Sequence, residues 1–131
     1  MLASLEPTWV LCSSVESIHR WQIGKHGGSH GIRDKSLLLS AIESPRNRWH
    51  YEEPQPSIIA LAATYAFKLT RNHPFVDGNK RTSCAVCVLF LADNGVKICA
   101  TDEEKEHVFL SLAAGKMSEK ELTHWLAAHS V

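Results

Sequence analysis

A chain of 131 residues has the length of one ordinary domain, and its 44% hydrophobic content is ample for a single core. Fourteen acidic and fourteen basic residues balance to zero formal charge, which argues against sequence-independent binding of DNA or RNA across the whole surface. No stretch reaches the roughly 18 consecutive apolar residues of a membrane span. Met1 to Val10 carries Glu6 and Pro7 and lacks the basic start of a signal peptide, so a cytoplasmic protein without a membrane partner is expected.

The patterning is helical almost throughout. Ser13 or Ser14 can cap a helix from Val15 to about Lys25, with Val15, Ile18 and Trp21 turned inward and Gly27-Gly28 ending it. Asp34 can cap a second helix to about Glu43, with Leu37, Leu38, Ala41 and Ile42 inward, and Pro45 is expected to stop it. The polar stretch from Ser44 to Pro56 holds three prolines with Trp49 and Tyr51, and reads as a loop or short hairpin. Ser57 then starts a long apolar helix to about Asn72, in which Ile58, Leu61, Ala62, Tyr65 and Leu69 share a face.

A further helix runs from about Asn79 to Asp93. It is hydrophobic all round from Ala85 to Ala92, as befits the central helix of a bundle, and Asn94-Gly95 closes it. Val96 to Ala100 suits a short extended piece. Thr101 with Glu104, and Ser118 with Glu121, have the spacing of capping boxes for two last helices, to about Ala114 and His129. The expectation is one compact all-α domain over residues 1–131, with six main helices. The four cysteines include Cys84 and Cys87 at redox or zinc-knuckle spacing, but within a helix and without a second pair, so they read as packed free thiols.

The chemistry concentrates in His73-Pro74-Phe75-Val76-Asp77-Gly78-Asn79-Lys80-Arg81, between the two most apolar helices. Unpaired N–H groups at a helix start attract phosphate oxygens. Lys80 and Arg81 oppose the macrodipole there, which argues for an anionic ligand that compensates. Asp77 would repel that ligand unless a divalent cation sat between them. Singly, each residue has a plainer reading: His73 as a cation at a helix end, Asp77-Gly78 as a turn, Asn79 as an N-cap, Lys80 and Arg81 as solvated charges. The other seven histidines are scattered and read as surface or core residues.

At fixed spacing, however, seven of these positions resemble the Fic/Doc signature, His-x-Phe-x-Asp/Glu-Gly/Ala-Asn-Gly/Lys-Arg. Lys80, where most Fic proteins have a second glycine, is similar to the death-on-curing (Doc) branch. His26-Gly27-Gly28 and Gly31-Ile32-Arg33-Asp34 look like the N-terminal half of the same family. The resemblance implies a Fic/Doc-type six-helix bundle, with a short flap or hairpin before the motif where Trp49 or Tyr51 could clamp a polypeptide. It implies ATP and Mg2+ as cofactors, His73 as catalytic base, Asp77 as metal ligand, and Gly78, Asn79, Lys80 and Arg81 holding the nucleotide. Arg71, just before the motif, could add charge.

For the Doc branch the implied activity is a protein kinase toxin that moves the γ-phosphate to a hydroxyl of a translation factor such as elongation factor Tu. A small antitoxin would silence it, and nucleic acid would be reached only through that antitoxin. No Ser/Thr-x-x-x-Glu inhibitory spacing occurs in the chain, so inhibition is expected from another polypeptide. An AMP transferase would use the same residues on the α-phosphate, but Cys84 stands where such members usually carry a second arginine. A non-catalytic antitoxin-binding module is the third reading, and the intact motif argues against it.

Overall fold

The computed structural model describes residues 5–131, and among these the regular elements are six helices. In chain order they are α1 (Cys12–His26), α2 (Lys35–Tyr51), α3 (Ile58–Asn72), α4 (Asn79–Asp93), α5 (Asp102–Ala113) and α6 (Glu119–Ala128). Ser57 caps α3 by accepting from the Ala60 N–H at 3.1 Å, and Leu61, Ala62, Ala63, Tyr65, Ala66 and Leu69 are all buried. Three buried alanines on one helix let its neighbours approach closely, and α3 packs against α2, α4, α5 and α6. The hub is therefore α3, whereas its uniform apolarity suggested α4. That helix instead lies between α1, α3 and α5, with Val86, Cys87, Phe90 and Leu91 buried and Asp93 exposed.

Local signals set the later helices. Thr101–Glu104 and Ser118–Glu121 form reciprocal capping boxes at the starts of α5 and α6. Gly95 ends α4 with φ +82°, and the chain beyond it touches Ser130 through a single bridge from Ile98.

Tertiary contacts override local signals in the first two helices. α1 starts at Cys12, after Leu11 and without a side-chain cap, and it buries Val15, His19 and Ile23. Trp21, expected inside, is 58% exposed with the Lys25 ammonium over its ring. α2 is capped by Asp34 as expected but does not stop at Pro45. It continues to Tyr51 with Pro45 buried inside it. A proline there lacks an N–H and crowds the carbonyl four residues back, a local cost of about 3 kcal/mol. Contacts made by the following turn offset that cost. Arg48 grips Glu52 through two N–H groups and also reaches Thr64 on α3 and Glu119 on α6. Trp49 packs edge-on to Trp9, which stacks on Phe90. The hairpin expected between Ser44 and Pro56 is thus mostly helix. Trp49 is a packing residue, and the exposed Tyr51 ends a helix roughly 25 Å long whose other end lies at the motif.

Candidate active site

The motif loop joins α3 to α4, and its shape follows from a few fixed points. Pro74 prevents α3 from continuing, and His73 caps it in the left-handed region, at φ 50° and ψ 54°. Among the described residues His73 is the single non-glycine residue with positive φ, a conformation that persists where surrounding contacts impose it. Phe75 is 1% exposed and anchors the loop in the core. Asn79 accepts from the Phe75 N–H through Oδ1 and donates to the Phe75 carbonyl through Nδ2, both at 2.9 Å. Its side chain therefore closes the loop, and the N-cap of α4 is Gly78, at φ +76°, where an added Cβ would lie 3.0 Å from Ile23.

Two further segments hold the loop from outside. From α1, the His19 ring lies flat on Phe75, and its Nε2–H donates to the Asp77 carbonyl at 2.7 Å. The stretch from Gly27 to Asp34 runs along the loop. Val76 donates to the Gly31 carbonyl, and the N–H groups of Arg33 and Asp34 both donate to that of Pro74. Ser29 donates its N–H to Asp77 Oδ2 at 3.2 Å, while Gly78 donates to Oδ1 at 2.9 Å. Gly28 approaches so closely that a Cβ there would sit 2.6 Å from Oδ2. The extended chain that meets the motif is this stretch, with an Ile32–Phe75 bridge.

Six sequence candidates, His73, Asp77, Gly78, Asn79, Lys80 and Arg81, line one cleft of about 400 Å³, joined by Thr70, Val76 and Ala113. The Asp77 carboxylate is exposed, and each oxygen accepts one backbone N–H, which leaves lone pairs on both. Thr82 gives the first α4 N–H with a helical partner, the Gly78 carbonyl, so the N–H groups of Asn79, Lys80 and Arg81 have no acceptor within the helix. Two side-chain cations and the dipole's positive end thus meet in one cleft with a histidine and a carboxylate.

Arg71 stacks over Phe67 and lies outside this lining, in an adjoining groove with Lys116. Cys84 lines an adjoining groove, between α1, α4 and α5, that shares Lys80 and Arg81 with the cleft. Burial pushes its thiol up to about 11 and that of the fully buried Cys87 higher still, so both are neutral packing groups near pH 7. The residues that sequence reasoning missed are His19, Ser29 and Arg33. Val15, His19 and Ile23 are spaced by four, which was the available signal for an inward His19.

A model of the Fic/DOC family matches residues 9–91, from before α1 to near the end of α4. The chain belongs to the Fic/Doc family. Curated relatives include "Toxin Doc" of Mycolicibacterium smegmatis, 39% identical over 74 residues that make up 56% of this chain and 57% of that protein. "Protein kinase doc" of Escherichia phage P1 is 31% identical over 102 residues, 78% of this chain and 79% of that protein. The chain thus spans little more than half the length of the first and about four fifths of the second. Among the described residues, no Fic/Doc helix here is long and apolar enough to cross a membrane.

Proposed function

We propose that this chain is a Doc-like toxin, a kinase that moves the γ-phosphate of ATP to a hydroxyl of a target protein. The observation that carries the reading is the convergence of His73, Asp77, Lys80 and Arg81 on one cleft at the start of α4. The names of the two relatives support it.

The donor set fits magnesium with a nucleotide. Asp77 is the carboxylate in the lining of the cleft, so the protein would offer it to the metal and phosphate oxygens would supply further ligands. The metal's contribution when bound is to neutralise charge on the phosphates. Lys80, Arg81 and the unpaired N–H groups of α4 hold the nucleotide's phosphates. His73 takes the proton of the target hydroxyl as its oxygen bonds to the γ-phosphorus. The bond from that phosphorus to the β–γ bridging oxygen breaks, and ADP leaves with the electron pair.

Following the resemblance, the proposed target is a translation factor such as elongation factor Tu, and the proposed regulator is a small antitoxin. Expression alone then arrests growth, and co-expression of the antitoxin rescues it. The deciding experiment incubates the protein and a cell extract with ATP labelled at the α or the γ position. Label from the γ position on a single protein, lost in His73→Ala, is the expected result. Label from the α position makes the chain an AMP transferase, and none from either leaves a binding module.

A further inference from the structure

We propose that Arg33 is a positioning residue that sets the backbone of His73, an inference that rests on His73 being the base of the transfer proposed above. The C-terminal carbonyls of α3 lack helical partners and carry the negative end of its dipole. Arg33 reaches them from outside the helix, giving its Nε–H to the His73 carbonyl at 2.7 Å and its Nη2–H to that of Asn72 at 2.8 Å. Those two carbonyls belong to the peptide planes on either side of the His73 Cα. The orientation of the first plane sets φ of His73 and that of the second sets ψ, so one planar fork fixes both angles.

The angles so fixed are 50° and 54°, the left-handed values that a histidine seldom adopts unaided. Arg33 is exposed, lies outside the lining of the cleft and touches the loop through backbone atoms, so it acts through His73 and not on substrate. The N–H groups of Arg33 and Asp34 bond the Pro74 carbonyl whatever the side chain, which keeps the segment in place when the side chain changes. A lysine keeps the charge but has a single rotatable ammonium nitrogen in place of the rigid planar pair, Nε and Nη2, that meets the two carbonyls.

The test compares wild type with Arg33→Met and Arg33→Lys. Backbone chemical shifts and the amide–α coupling of His73 report its φ, and transfer assays give kcat and KM. The expected result is a left-handed His73 in wild type, lost in Arg33→Met and partly kept in Arg33→Lys. The kcat of Arg33→Met falls about a hundredfold, the scale of a 1 Å misplacement, with KM for ATP little changed. A His73 that stays left-handed in Arg33→Met overturns the proposal, whatever the rates. If wild type transfers no phosphate, the functional reading fails, and the His73 shifts still decide for or against Arg33.

Discussion

The His19 ring lies parallel to that of Phe75, with centroids 3.8 Å apart and planes within 6°. It joins a helix of the N-terminal half to the motif, and its Nε2–H reaches the Asp77 carbonyl as well. One side chain thus fixes both the anchor of the loop and the peptide that follows Asp77.

Replacing His19 with alanine removes a buried stack and a hydrogen bond and leaves a cavity beside Gly78. The expected cost is about 2–3 kcal/mol in urea unfolding. His19→Phe keeps the ring, loses the N–H, and should recover about half of that loss. Equal stability of all three proteins would show that the stack contributes nothing.

Asp77→Asn should leave the loop folded, because Oδ1 of asparagine still accepts one backbone N–H. It removes the charge proposed to meet magnesium. ATP titrations should show a magnesium-dependent gain in affinity for wild type and a gain smaller by about tenfold for the variant. The same gain in both proteins would assign Asp77 to holding the turn.

Arg48 ties α2 to α3 and α6, and its loss leaves Thr64 and Glu119 without that donor. Arg48→Met should lower stability by about 1–2 kcal/mol in denaturant titration, most of it through the half-buried Glu119 contact. Arg48 holds the Glu52 carboxyl below its usual range, chiefly by hydrogen bonding. A depressed carboxylate stabilises the fold above its unfolded pKa, and this small part of the difference should fade as pH falls through the folded value.

The parts legible in the sequence are those written in adjacent residues. Ser57, Asn94-Gly95 and the two capping boxes place their helix ends because a cap acts within one turn. The six cleft residues were legible for the same reason, since they lie within one nine-residue run. What supports the run comes from far along the chain: Arg33 lies 40 residues from His73, Ser29 48 from Asp77, and His19 58 from Asp77. No local pattern announces such pairings. Pro45 shows the converse, a strong local stop signal outweighed by the contacts of Arg48 and Trp49 in the next turn.

In the proposed reading Lys80 separates the two transfer chemistries. It stands at the second position of α4 and lines the cleft beside His73 and Asp77. A glycine there would offer a backbone N–H alone, whereas the ammonium adds a point charge and fills space that a phosphate would otherwise occupy. Lys80→Gly should therefore reduce γ-phosphate transfer by on the order of a hundredfold, the cost of losing one charged clamp on the moving group. The opened cradle should admit slow AMP transfer, held low because Cys84 supplies no second cation. Target modification with ATP labelled at the α and the γ positions, for wild type and variant, measures both rates. A Lys80→Gly protein that transfers γ-phosphate at the wild-type rate would remove this lysine from the account of specificity.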